Sequence, residues 1–178
     1  MRVVAGSFGG RKLVSPAGED TRPTSERVRE AMFNALFSLD AIDGSRVLDL
    51  FAGSGALGIE ALSRGAAHAT FVEQGRAALA ALRENVETLR IASQTTVIAG
   101  DALRHLETMG DYDLILLDPP YGFDGWSALL SSIESGTVVI ESDRAVDLPF
   151  GWVVHRVKRY GGTVVTLATA SPRGEEAA

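Results

Sequence analysis

The 178 residues suffice for one domain with a real hydrophobic core, and 46% hydrophobic against 22% charged residues is the balance of an ordinary soluble globular chain. Cysteine is absent and the three histidines (His68, His105, His155) are scattered, which excludes disulfides, thiolate zinc sites and a cysteine nucleophile; no metal is expected. The net charge of −6 divides into +2 over residues 1–34, −10 over 35–150 and +2 over 151–178, so a nucleic-acid partner has only the basic ends to meet.

Apolar runs fall short of the roughly 20 residues of a membrane helix and the N-terminus lacks a signal-peptide apolar region, so a cytoplasmic protein is expected. Along the chain, Met1–Ala5 and Arg11–Ser15 flank Gly9-Gly10 as a small hairpin. A helix follows from Thr24 or Ser25, its early turns acidic, with Val28, Ala31, Met32, Ala35 and Leu39 as the buried face. From Arg46 short apolar runs alternate with helical patterns, the signature of β-α-β units on a parallel sheet. Strands are expected at Arg46–Leu50, Ala69–Glu73, Thr95–Ala99, Asp113–Leu117 and Thr137–Glu141. Helices are expected at Ala56–Ser63, 76–90 (Leu79, Leu82, Val86 and Leu89 inward), Ala102–Thr108 and 125–134. Trp152–Val157 and Thr163–Ala168 around Tyr160-Gly161-Gly162 read as an antiparallel hairpin. The fold class is therefore α/β, a Rossmann-like seven-stranded and mostly parallel sheet closed by an antiparallel pair. The expected divisions are a hairpin extension at 1–22, the main domain at 23–170 and a frayed polar tail at 171–178.

The first strand runs into Asp49-Leu-Phe-Ala-Gly53-Ser-Gly55-Ala-Leu-Gly58, a turn whose glycines admit a ligand to the backbone ahead of a helix N-terminus. Gly53, Gly55 and Gly58 also satisfy the dinucleotide pattern, a weak signal alone. Asp49, at the strand's end, would repel a pyrophosphate and suits an ammonium-bearing ligand such as the methionine portion of S-adenosylmethionine. Glu73, ending the second strand, is placed for two ribose hydroxyls, and Asp101 after the third for an adenine edge. With Phe51 and Ala102 beside them, these residues form the expected S-adenosyl-L-methionine pocket.

Strand four ends in Asp118-Pro119-Pro120-Tyr121, read as the catalytic loop. Its prolines fix φ and leave carbonyls free to accept. An exocyclic amine on a base is a poor nucleophile. The Asp118 carboxylate and the Pro119 carbonyl, holding its two hydrogens, would draw the nitrogen toward tetrahedral geometry and stabilise the charge formed on methyl transfer. Tyr121 offers a stacking face worth about 1–3 kcal/mol. Methylation of a pyrimidine ring carbon, which usually needs a thiolate, is not expected.

These motifs give the chain a resemblance to the bacterial RsmD family of small-subunit rRNA guanine-N2 methyltransferases. It rests on Thr21-Arg-Pro-Thr-Ser-Glu-Arg-Val-Arg-Glu-Ala-Met-Phe-Asn34, Val47 to Gly65, Asp118-Pro-Pro-Tyr121, Val138-Val-Ile-Glu141 and Tyr160-Gly161. The stretch between Tyr121 and Gly136 is shorter than is usual there. The resemblance implies methylation of guanine N2 in 16S rRNA on a small ribosomal subunit; separately, a monomer is the default for so compact a chain. The resemblance also implies Arg22, Thr24 and Arg27 near the cofactor's methionine end or the substrate entrance, Thr24 and Arg27 counting with the cofactor set. It further implies Arg2, Arg11, Lys12 and Arg22 on rRNA phosphates. Competing readings are a DNA adenine-N6 methyltransferase, for which the chain has little room for a target-recognition domain, and methylation of a protein glutamine, where Asn usually leads the tetrapeptide. An NAD-binding oxidoreductase, which leaves Asp-Pro-Pro-Tyr idle, and a nonenzymatic RNA-binding assembly factor come from other classes.

Overall fold

The computed structural model describes residues 1–16, 26–106 and 110–171. Its chain order is α1 (Glu26–Ser38), β1 (Arg46–Asp49), α2 (Ala56–Ser63), β2 (His68–Glu73), α3 (Arg76–Leu89), β3 (Thr95–Ala99), α4 (Ala102–Leu106), β4 (Leu114–Leu117), α5 (Trp126–Ser131), β5 (Gly136–Ser142), β6 (Val153–Tyr160) and β7 (Thr163–Ala170). The expected start of α1 at Thr24 or Ser25, the end of α4 at Thr108 and the tail beyond Ser171 lie outside the described residues.

The seven strands form one sheet in the order β3-β2-β1-β4-β5-β7-β6. The first five are parallel; β7 runs antiparallel between β5 and β6. Strands β1 and β4 are buried on both faces, as expected of central strands covered by helices. One core cluster joins α1, α2 and α3 to one face, through Phe33, Leu36, Ile59, Leu82 and Val86; a second joins α5 and Ala102 of α4 to the other, through Trp126, Leu129 and Leu130. Among the described residues no helix is long and apolar enough to cross a membrane.

Helix α1 departs from expectation in its rotation. Val28, Arg29, Met32, Phe33 and Leu36 are its buried residues, whereas Ala31 and Ala35 are half-buried, and Leu39 lies beyond the helix end at 38% exposure. The bulkier Phe33 and Leu36 take the inner face, and Arg29 is buried with them. Arg29 turns inward to Glu60 of α2, whose Oε2 lies 3.9 Å from the Arg29 Nε, with both side chains fully buried. Glu60 also accepts from Arg64 Nε (2.7 Å) and from the backbone amides of Val4 (2.7 Å) and Ala5 (3.1 Å). Hydrophobic spacing alone does not reveal such a charged cluster.

The N-terminal segment is a minimal hairpin, one antiparallel bridge between Arg2 and Lys12 framed by bonds from Val3 N to Arg11 O and from Leu13 N to Met1 O. Val3 and Leu13 are buried in the same cluster as Phe33 and Leu62. Asn85 of α3 fastens the segment's end, accepting from Val14 N at 2.7 Å and donating to Val14 O at 3.0 Å and to Ser54 O at 2.9 Å. The C-terminal hairpin is longer than expected because its turn is only Gly161-Gly162, so Tyr160 and Thr163 already pair; Gly161, at φ +61°, supplies the positive φ of such two-residue turns.

Candidate active site

Between β1 and β4 the strand order changes direction, since the next connection after β1 leads to β2 on one side and β4 flanks the other. Crevices outside the carboxyl ends of strands at such a point are where open α/β sheets take ligands. A cavity of about 680 Å³ opens there. It is walled by the β1 loop (Asp49, Phe51, Gly53), the ends of β2 and β3 (Glu73, Asp101), Ala102, and the β4 exit (Asp118, Pro119, Pro120, Tyr121).

Gly53 and Gly55 do different work. Both have positive φ, +55° and +83°. Gly53 lines the cavity with open space where a Cβ would stand, whereas a Cβ on Gly55 would collide with Leu82. Gly55 lies outside the cavity lining, at the N-cap of α2, where it serves packing and the turn.

Asp49 is buried, and its Oδ2 accepts from Gly58 N at 2.9 Å. Its Oδ1 has no hydrogen-bond partner among the described residues. Burial raises its pKa from 3.8 to about 7, against the Gly58 hydrogen bond and with help from the Glu73 charge. A buried acceptor without a donor is costly in a finished structure. A ligand cation facing this wall of the cavity would relieve it, so the residues present fit the ammonium of the expected cofactor.

Glu73 receives Gly53 N at Oε2 (2.8 Å) and Gly75 N at Oε1 (2.6 Å). It thus holds two loops in place, each oxygen keeping a further lone pair for a ligand hydroxyl. Asp101 caps α4, accepting Arg104 N at Oδ1 (3.0 Å). The expected acids at three strand ends converge on one cavity, two of them also shaping its loops.

Asp118 is half-buried, Pro119 buried, and Pro120 and Tyr121 exposed. The loop closes with Phe123 N donating to Pro120 O at 3.1 Å. Asp143 and Arg144, after β5, brace it from outside: Gly122 N donates to Asp143 Oδ2 (3.3 Å) and Arg144 Nη2 to Phe123 O (2.9 Å). Tyr121 is 58% exposed, its hydroxyl 3.2 Å from Thr163 Oγ1 at the start of β7. Phe123 meets Phe51 edge-on at 5.4 Å and Trp126 at 5.1 Å, contacts worth about 0.5–1.5 kcal/mol each that lock the two loops together.

Sequence reasoning missed Phe123 and Glu141 as lining residues. Glu141 is a buried acid near the end of β5, and the criterion that singled out Glu73 would have found it. Met1, Ser15 and Pro16 also reach the cavity, which no local signal foretells.

Of the remaining expected site residues, Arg22 and Thr24 lie outside the described residues. Arg27 is exposed on α1 and is not part of the cavity wall. Arg2 is paired with Glu26 at 3.0 Å, Arg11 donates to Thr88 O at 3.3 Å, and Lys12 is exposed. No group of three or more His, Asp or Glu side chains able to hold a metal occurs among the described residues.

Residues 1–169 match the family model described as conserved hypothetical protein 95. The chain is 41% identical to the putative rRNA methyltransferase YlbH of Bacillus subtilis, over 94% of this chain and 97% of that one. It is 36% identical to the ribosomal RNA small subunit methyltransferase D of Escherichia coli, over 98% and 92%. Among solved structures it is similar to the putative methyltransferase yhhF from Escherichia coli, with a TM-score of 0.85 at 34% identity, covering 97% and 99% of the two chains.

Proposed function

Because this chain belongs to the conserved hypothetical protein 95 family, the RsmD group of small-subunit rRNA methyltransferases, we propose that it methylates the N2 amino group of a guanine in 16S rRNA, using S-adenosyl-L-methionine. The observation that carries this reading is the single cavity shared by the Gly53 loop, Glu73, Asp101 and the Asp118–Tyr121 loop. It puts a cofactor pocket and an amine-accepting loop within one space, a pairing that a dinucleotide oxidoreductase does not need.

Bound in this pocket, the cofactor supplies a methyl group already activated by its sulfonium. The chain's own residues then have to bind and position. Asp49 Oδ1 takes the ammonium, Glu73 the ribose hydroxyls and Asp101 the adenine edge, while Phe51 and Ala102 supply apolar walls. The Asp118 carboxylate and the Pro119 carbonyl each accept one hydrogen of the guanine amine, turning its lone pair toward the methyl group. Tyr121 stacks on the base. The proton released after transfer is taken by the Asp118 carboxylate, which accepts from the amine, or by solvent. Pro120 stiffens the loop so that this geometry costs little ordering.

Lys12, with Arg2 and Arg11, contributes phosphate contacts. The protein acts as a cytoplasmic monomer without a metal. The test is methyl transfer from labelled S-adenosylmethionine to purified small subunits, naked 16S rRNA and unmethylated duplex DNA, with the product nucleoside identified by mass spectrometry. N2-methylguanosine from the RNA substrates is expected. N6-methyladenine in DNA alone would replace the substrate, and no transfer to any of the three would overturn the reading.

A further inference from the structure

The outermost strand of the sheet is also its most basic. Among the described residues strand β6 pairs with β7 on one side and with no other strand, and Val153 through Arg159 are all exposed. Its sequence, Val-Val-His-Arg-Val-Lys-Arg-Tyr, sits in a stretch without a single acid from Leu148 to Gly174, in a chain whose net charge is −6. Among the described residues no ion pair involves Arg156, Lys158 or Arg159.

Register divides these cations between both faces of the strand. Arg156 and Lys158 pair with Leu167 and Val165, whose side chains point into the core beneath α1 to α3, and Arg159 pairs with Val164 on the alternate face. The irregularity between Val154 and Arg156 sets His155 out of the ladder. Tyr160 lies under the Lys158 ammonium at 5.0 Å. At about 3.3 Å per residue the strand offers a cationic edge of about 26 Å.

Its end is at the active site. Because β7 begins where β5 ends, the Gly161-Gly162 turn stands at the ligand side of the sheet, and Thr163 touches the Tyr121 hydroxyl. Edge strands are commonly blunted by charge so that they do not pair with other chains. Either sign does that, however, and a mixture serves as well. A strand of one sign only, in an acidic protein, ending beside the base-stacking tyrosine, has the charge complementarity of a polyanion track. Exposed Val154 and Val157, at 51% and 57%, add apolar contact for sugars or bases between the cations.

We infer that the β6 edge, with Arg156, Lys158 and Arg159 as its phosphate contacts, is the surface on which the substrate RNA strand lies as it enters the Asp118–Tyr121 loop. This rests on the rRNA reading above and adds a contact surface separate from the N-terminal cations.

The experiment uses the full chain and the triple variant R156Q/K158Q/R159Q. Three readouts are needed: cofactor affinity by calorimetry, the salt dependence of binding to a fluorescently labelled 16S rRNA fragment, and steady-state methylation of naked 16S rRNA. Cofactor affinity within twofold of the parent establishes that the variant is folded. The slope of log affinity against log salt is expected to fall by about 2, the value for three phosphate contacts on single-stranded RNA. KM for RNA is expected to rise at least tenfold with kcat within twofold. An unchanged slope and KM, in a protein whose parent form methylates the RNA, would overturn the β6 surface alone and leave the edge to an acidic protein partner. A reduced slope with no methylation by the parent form would keep the surface and overturn the rRNA reaction. If the triple variant loses cofactor binding, the single variant K158Q, expected to lower the slope by about 0.7, decides by the same criteria.

Discussion

At the scale of single residues, the site is built from carboxylates whose surroundings give them different tasks. On the proposed reading Asp118 accepts from the substrate amine, so D118A is expected to lower kcat at least a hundredfold, in line with the loss of one charge-stabilising group, while cofactor affinity stays within a few fold. Turnover that survives the substitution would remove Asp118 from the chemistry. Asp49 behaves differently because it is buried, and its pKa is raised to about 7. Below that pH it is neutral and has nothing to offer an ammonium. Cofactor affinity should therefore fall on acidification below pH 7, approaching tenfold per unit, and D49N should flatten the profile. Calorimetric titrations from pH 5.5 to 8 measure this, and a flat profile for the parent protein would detach Asp49 from the ammonium. The linkage to stability has the opposite direction. The unfolded carboxyl ionises near 3.8, so without cofactor this group makes the fold less stable as pH rises from about 4 to 7. These acids were legible in the sequence because strand ends are marked by where apolar runs stop. Their hydrogen bonds to Gly53 and Gly58 were not, since both join residues that meet only after the loop following β1 has closed.

At the scale of elements, the pattern of hydrophobicity placed all five parallel strands and four of the helices to within a few residues, because short apolar runs alternate with amphipathic stretches along the chain. Strand β6 began later and ran further than its apolar residues suggested. It is held by the ladder to β7, not by burial, and a strand exposed along its length carries no hydrophobic pattern. Helix α1 buries Phe33 and Leu36, with Arg29 beside them, in place of Ala31, Ala35 and Leu39. Glu60 accepts from Arg64 and from two amides of the N-terminal segment and lies 3.9 Å from the Arg29 Nε, so E60Q would leave the Arg29 guanidinium buried beside a neutral group. The expected cost is about 3–5 kcal/mol, the usual figure for a broken buried pair. Denaturant unfolding measures it, and amide exchange at Val4 and Ala5 should accelerate with it. A loss under 1 kcal/mol would mean that the cluster is a spectator of the packing.

At the scale of the whole molecule, the first sixteen residues are part of the core and of the cavity wall. Val3 and Leu13 are buried against α1 and α2, and Met1, Ser15 and Pro16 reach the site. Removing residues 1–16 is therefore expected to lower the thermal midpoint and weaken cofactor binding at least tenfold. A truncated chain that melts and binds like the parent would make the segment a detachable extension, as its sequence alone suggests. The sequence by itself determined the class of fold, the order of its elements along the chain, the glycine loop and the Asp-Pro-Pro-Tyr loop, since these depend on local spacing and on backbone chemistry carried by a few adjacent residues. Only the tertiary structure decided that Phe123 and the N-terminal segment share the cavity, that Arg29 turns inward, and that the basic strand ends beside Tyr121. Those facts come from long-range pairing: β7 inserts between β5 and β6, and α2 draws residues 4 and 5 onto Glu60. Such contacts join positions tens of residues apart, and no local pattern of hydrophobicity or charge encodes which of them will meet.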